Sequence, residues 1–125
     1  MTKARGVTGR RGEELAVKYL SSQGYVIIAR NYRASCGEVD IIAKEAGVLV
    51  FIEVKTRTSF DFGHPAESVN YRKRQQISKA ALVYIGQQRL SGCPARFDVV
   101  SVLLPKGSEP RIELIRNAFD LAYTD

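Results

Sequence analysis

Asp40, Glu53 and Lys55 lie close together in the stretch Gly37–Lys55, GEVDIIAKEAGVLVFIEVK. Carboxylate oxygens are the ligands that hard cations such as Mg²⁺ or Mn²⁺ prefer, and a neighbouring ammonium can hold an anion or a water beside such an ion. The spacing supplies the geometry. The stretch reads as two alternating strands joined at Ala46-Gly47. Side chains alternate between faces, so Glu38, Asp40 and Ile42 are expected on one side and Val39, Ile41 and Ala43 on the other. In the second strand Leu49, Phe51, Glu53 and Lys55 share a face, and Val50, Ile52 and Val54 take the opposite one. A two-residue turn at Ala46-Gly47 then puts Asp40 directly opposite Glu53, with Cβ atoms about 4.5–5.5 Å apart. Facing carboxylates repel and destabilise a hairpin, so a strand pair with only a structural task would carry Thr, Val or an opposite-charge pair there. The second strand is apolar on both faces, as an interior strand is. Charges at the end of such a strand require a reason, and a shared metal ion supplies one; the plainer alternative is a solvated face with incidental charges.

The element that would add a third carboxylate is a helix expected from about Thr8 to Gln23, stopped at Gly24. Ala16, Val17 and Leu20 form its buried stripe, and Glu13 lies three and four residues before the first two. Glu13 therefore points at the body of the protein, whereas Glu14 is spaced to pair with Lys18 on the exposed side. Read alone, Glu13 is a first-turn acid favoured by the helix dipole. Ahead of this helix, residues 1–7 read as a flexible basic arm, with Arg10 and Arg11 following it. The glycines at 6, 9 and 12 do not follow a strand, so they are not read as a phosphate loop.

Tyr25–Arg30 reads as a strand and Asn31–Cys36 as a polar connector. After Lys55 come Arg57 and a glycine- and proline-bearing loop, whose His64 is read as a turn or surface residue rather than a general base. A second helix is expected from near Ser68 to about Arg89, with Ile77, Ala80, Ala81, Tyr84 and Ile85 at amphipathic spacing. Its first turns carry Arg72, Lys73 and Arg74, then Gln75 and Gln76. Cations at a helix N-terminus oppose the macrodipole. Helix stability does not account for them, and an anion bound by these cations and the free N–H groups does. Lys73 lies four residues before Ile77 and projects towards the sheet. Arg96–Leu104 and the short Arg111–Ile115 complete the strands, and Phe119, Leu121 and Tyr123 are expected to pack a terminal turn onto the sheet.

At 125 residues, with 45% hydrophobic content, the chain is expected to form a single domain spanning 1–125. No apolar run is long enough for a membrane span, and the N-terminal stretch lacks the apolar core of a secretory signal. Two separated cysteines, Cys36 and Cys93, fit a reducing compartment, and a cytoplasmic location is expected. With one histidine and no close cysteine pair, a structural zinc site is not expected. The net charge of +6 favours a polyanionic partner, nucleic acid before membrane.

Taken together, Asp40 on one strand, Glu53-Val54-Lys55 on the next and Glu13 on the preceding helix resemble the restriction-endonuclease-like PD-(D/E)XK nucleases. More closely, GRRGEELAVKYLSSQGY, GEVDII, FIEVKTR and KRQQISKAALVYI are similar to the bacterial YraN family of small uncharacterised proteins, relatives of archaeal Holliday junction resolvases. The resemblance implies an α/β fold with a three-layer α/β/α core, αβββαβ element order and a mixed central sheet. It also implies that Asp40 and Glu53 ligate Mg²⁺ or Mn²⁺, that Glu13 completes the acidic set, and that Lys55 positions the attacking water or stabilises the transition state. Lys73 with Gln75 or Gln76 would flank the substrate phosphate, and Arg10, Arg11, Arg57, Arg72 and Arg74 would extend the nucleic-acid contact. The chain departs from the motif at one place, where Val39 stands for its proline. The function so implied is divalent-metal-dependent endonucleolytic hydrolysis of DNA, duplex or branched, in repair or recombination, by a chain that can pair as a homodimer. The alternative is a nucleic-acid-binding module that keeps the fold without catalysis.

Overall fold

Alternation with apolar residues on both faces makes Val48–Arg57 an interior strand, and it is the third of five in a sheet of order β1-β2-β3-β4-β5. The computed structural model describes residues 6–58 and 69–122. Its elements are α1 (Val7–Ser22), β1 (Val26–Ala34), β2 (Gly37–Glu45), β3 (Val48–Arg57), α2 (Tyr71–Gln87), β4 (Ala95–Leu103) and β5 (Arg111–Phe119). The sheet is mixed: β1–β2 and β2–β3 pair antiparallel, β3–β4 parallel, and β4–β5 antiparallel. The parallel pair is joined through α2, as parallel neighbours require.

One helix covers each face, which gives the expected three-layer α/β/α core. On the α1 side Ala16 and Leu20 pack with Ile41, Val50, Ile52 and Val54 of the sheet. On the α2 side Ile77, Ala81 and Tyr84 pack with Ile42, Leu49, Phe51 and Phe97. Ala46 and Gly47 both have positive φ (51° and 81°) between the paired Glu45 and Val48. That is the tight hairpin turn the sequence marks. No described helix is long and apolar enough to cross a membrane.

Several boundaries differ from the sequence reading, each for a local reason. Asn31–Cys36 is not a connector: β1 runs on to Ala34, and only Ser35-Cys36 turn before Gly37. Tyr32 and Ala34 pack against the α2-side core, so this polar-looking stretch has a buried face. The second helix starts at Tyr71, because Asn70 is its N-cap and accepts from the Lys73 N–H at 2.9 Å. The last strand continues past Ile115 to Phe119, with Asn117 at φ 51° where the β4–β5 register shifts. Phe119 is therefore a strand residue stacked on Phe97 at 4.9 Å, not part of a terminal turn. Leu121 does pack against the α2-side core, and the Ala122 N–H donates to Ser78 Oγ at 2.9 Å. Val7 already belongs to α1, inside the expected arm. The remainder of the arm up to residue 5, His64 and its loop, Ser68 and Tyr123 lie outside the described residues.

Candidate active site

Where β2 begins and β3 ends, the two strands part, and both helices reach the opening. The described pairs of the β2–β3 ladder stop at Ile41↔Ile52. The next link is a side chain: Asp40 Oδ2 accepts from the Val54 N–H at 2.8 Å. Asp40 is thus not held as the direct ladder partner of Glu53 that simple alternation implies. The alternation slips here, since Val39 packs with Ile42 on the α2 side while Ile41 and Ala43 stay on the α1 side. The neighbouring β1 residue is Asn31, at φ 55°, a conformation Asn tolerates better than most residues. A bond from a backbone N–H to a carboxylate is charge-assisted and short. It holds Asp40 at the strand opening with its side chain buried.

The opening is a cleft of about 670 Å³ lined by Glu13, Glu38, Asp40, Glu53, Lys55 and Thr56 on the sheet and α1 side, and by Lys73 and Gln76 from α2. Asp40 and Glu53 are 1% and 2% exposed, and Glu13 is 5% exposed. Burying carboxylates costs several kcal/mol each unless positive charge or hydrogen bonds compensate. Glu53 Oε2 has the Lys73 ammonium at 3.2 Å. Glu13 Oε1 accepts from Arg30 Nη2 at 2.9 Å and from Asn31 Nδ2 at 3.2 Å. Arg30 also grips Glu14 through Nη1 at 2.8 Å, so Glu14 pairs across to β1 instead of along the helix to Lys18. A guanidinium fork can serve two carboxylates at once, which an exposed i,i+4 lysine cannot match. The bond to Glu13, opposed by burial and supported by Glu14, raises the Arg30 pKa further above its ordinary value.

Two glycines set how closely the helices approach. A Cβ on Gly12 would overlap Thr56 of β3, and a Cβ on Gly37 would overlap the backbone carbonyl of Gln76 in α2. Gly12 precedes Glu13, and Gln76 lies one turn after Lys73. The contacts that need glycine are therefore those that bring Glu13 and Lys73 to the strand ends. The sequence reading weighed Gly12 only as part of a phosphate loop and gave Gly37 no role; their task is close helix–sheet packing.

The basic residues divide. Lys55, Lys73 and the amide Gln76 line the cleft, while Gln75 is half-buried and is not among the residues lining it. Arg10, Arg11 and Arg72 are exposed on the first turns of the two helices. Arg57 is half-buried at the end of β3, where its carbonyl accepts from the Leu104 N–H at 2.7 Å. Arg74 turns back into the fold, with Nε donating to the Val69 carbonyl at 2.8 Å and the guanidinium 5.6 Å from the Phe119 ring centre. Asn70 already uses the Lys73 N–H, so an anion at the start of α2 would be met by side chains more than by free backbone donors.

The donor set fits a hard divalent cation. Asp40 and Glu53 offer buried oxygens from adjacent strands, and Mg²⁺ keeps several waters, so one or two carboxylates suffice. Among the described residues no three His, Cys, Asp or Glu side chains are already arranged around one point, so such an ion would rest on few protein ligands. Glu13 contributes to the charge of the cleft from its place on Arg30.

A second charged cluster, which the sequence reading missed, lies on the α1 side nearer the Ala46-Gly47 turn. Asp98 is fully buried and accepts from the Tyr25 hydroxyl at 2.7 Å, Arg96 Nε at 3.0 Å, Arg96 Nη2 at 3.3 Å and the Asn117 N–H at 2.9 Å. Arg96 and Arg116 both donate to Glu45 Oε1 at 2.9 Å. Burial and the Asp98 carboxylate push the Tyr25 hydroxyl up to about 12. The bond from Arg96, with Arg116 beside it, holds Glu45 below the usual carboxylate range.

The sequence profile of the uncharacterised protein family UPF0102 matches residues 12–102. A UPF0102 protein of Trichlorobacter lovleyi is 54% identical over 122 residues, covering 97% of this chain and 96% of the relative. UPF0102 proteins of Geotalea uraniireducens and Dictyoglomus turgidum are 50% and 45% identical, over 92% and 89% of this chain and 91% and 95% of their own lengths.

Proposed function

The chain belongs to the uncharacterised protein family UPF0102, the YraN-like family, and from that membership and the cleft we propose that it is a divalent-metal-dependent endonuclease hydrolysing phosphodiester bonds in DNA. One observation carries the reading: Asp40 and Glu53, 1% and 2% exposed, share a cleft with the amines of Lys55 and Lys73. Burying two acids at one strand opening is costly for a fold, whereas cleavage of a phosphodiester needs such oxygens and cations together.

Mg²⁺ or Mn²⁺ on Asp40 and Glu53 would offset charge developing on the phosphate and lower the pKa of a water. Asp40 is pre-set for this task by its bond to the Val54 N–H, which fixes the carboxylate before any ligand arrives. Lys55, on the next inward-facing position after Glu53, orients the attacking water or meets the transition-state charge. Lys73 and Gln76 face the same space from α2 and hold the phosphate. Arg10, Arg11 and Arg72, exposed at the starts of the helices, extend the electrostatic contact along the strand. Branched or repair intermediates, bound by a dimer, are the substrates to test first.

The test is cleavage of linear, nicked and branched DNA with Mn²⁺, at protein concentrations that populate a dimer. Wild type should cut at least one of them, and Lys55→Ala should bind it and not cut. Failure of wild type to cut any, with Lys55→Ala binding identically, would replace this reading with a non-catalytic nucleic-acid-binding module.

A further inference from the structure

Resting on the reading above, we propose that Lys73 is an exchangeable counter-ion. Its ammonium neutralises Glu53 in the metal-free protein, and occupancy of that carboxylate by a divalent cation frees it to hold the DNA phosphate.

Four observations converge on this role. Glu53 is 2% exposed, and the Lys73 ammonium lies 3.2 Å from its Oε2. A cation ligated by that oxygen would stand within a few ångströms of the ammonium, and like charges at that separation exclude one another. Lys73 is free to move where its backbone is not. Its N–H is capped by Asn70 and its helix is seated against Gly37 through Gln76, yet its side chain keeps about a third of its surface in solvent. The contrast with Arg96 is chemical: Arg96 holds Asp98 through two nitrogens at 3.0 and 3.3 Å, a fork that does not release easily. A single ammonium on a flexible four-carbon stem does. Lastly, Lys73 stands in the first turn of α2 between Arg72 and Arg74, where three cations oppose the helix dipole. Arg74 is turned into the fold and Arg72 is exposed, so Lys73 is the member of this run that reaches the cleft. One side chain thus serves both as counter-charge and as phosphate ligand, which makes DNA affinity in the cleft depend on metal.

The full-length chain is titrated with Mn²⁺ by calorimetry, without DNA, as wild type, Lys73→Met and Glu53→Gln. Lys73→Met removes the competing charge and keeps the stem, so it should bind Mn²⁺ about tenfold more tightly than wild type. Equal or weaker binding by Lys73→Met, with wild-type binding abolished by Glu53→Gln, overturns the exchange and leaves the metal site standing. Absence of Mn²⁺ binding in wild type overturns the metal site itself. Should Lys73→Met fail to fold, Lys73→Gln carries the same comparison. Duplex DNA binding gives a second readout. With Ca²⁺ present Lys73→Met should weaken affinity severalfold, and without a divalent cation it should change affinity little. Equal weakening in both conditions contradicts the exchange.

Discussion

Two groups of buried acids lie on this sheet and are built in opposite ways. Asp98 is wrapped by a phenol, a guanidinium and a backbone N–H, and its partner Arg96 is shared with Glu45 and cradled over the Tyr25 ring at 5.8 Å. Asp98 is fully buried there, so the cluster is closed. Asp40, Glu53 and Glu13 line a cleft; Asp40 is held by the Val54 N–H, while Glu53 and Glu13 are met by a partly exposed lysine and a partly exposed arginine. The first cluster joins the start of β1, the end of β2, β4 and β5 into one unit. The second leaves room for something brought from outside. Buried charge alone does not mark a functional site; the origin and release of its counter-charge does.

The comparison breaks most visibly at Arg96. Replacing it with leucine strands Asp98 in the interior, and loss of one partner of a buried pair costs about 3–5 kcal/mol. Urea unfolding of Arg96→Leu should show a loss of that size, and a loss under about 1 kcal/mol would mean that the closed cluster is not a structural tie. Gly37→Ala comes next. Its Cβ meets the carbonyl of Gln76, so α2 must shift, at about 1–3 kcal/mol. The same shift moves Lys73 off Glu53, so this variant should lose metal-dependent DNA binding more than its stability loss explains. An unaltered Gly37→Ala would mean that the spacing of α2 does not set the cleft.

The two clusters also differed in how far the sequence revealed them. The cleft acids lie in or beside short alternating strands, so Asp40, Glu53 and Lys55 are legible from spacing, and Glu13 from its place on a helical stripe. What spacing could not supply was the slip at Asp40, which depends on a bond between a side chain and Val54 in a different strand. The roles of Gly12 and Gly37 were equally hidden, because each is defined by a distant partner, Thr56 or Gln76. The closed cluster draws on Tyr25, Glu45, the pair Arg96 and Asp98, and the pair Arg116 and Asn117, four places far apart in sequence that share no motif. Each looks like a common surface charge or strand residue until β1, β2, β4 and β5 are assembled. Asn70 was readable, since an N-cap residue stands directly before the helical run, but the apolar periodicity begins only at Ile77 and does not fix where α2 starts.

A smaller effect sharpens the closed side through pH. The Tyr25 hydroxyl is pushed up to about 12 from an ordinary value of 10.0 because burial and Asp98 disfavour the phenolate. A group whose pKa is raised in the fold lends stability that is fully present below its unfolded value and lost as pH rises through its folded one. Wild type should therefore lose stability between pH 10 and about 12. Tyr25→Phe should lose about 1 kcal/mol at neutral pH and show a shallower decline across the alkaline window. Parallel alkaline profiles for the two proteins would remove Tyr25 from the cluster's pH response.

The smallest effect on stability is expected at Asp40, and there the open cluster is tested most sharply. Asp40→Asn removes the charge but keeps an oxygen where Oδ2 stands, so the bond from the Val54 N–H survives and β2 and β3 stay linked. Loss of the charge assistance to that bond costs about 1 kcal/mol, and relief of repulsion among the cleft acids acts in the opposite direction. Metal-free unfolding of Asp40→Asn should accordingly lie within about 1 kcal/mol of wild type. Ligand addition should then separate them, because a cation that binds only the folded state stabilises it in proportion to its affinity. At Mn²⁺ about a hundredfold above its dissociation constant, wild type should gain about 2.7 kcal/mol and Asp40→Asn almost none. Asp98→Asn should show the reverse, a large loss without metal and an undiminished gain with it. Equal Mn²⁺ stabilisation of wild type and Asp40→Asn would mean that the cation binds elsewhere, and the contrast between a closed and an open cluster would lose its chemical meaning.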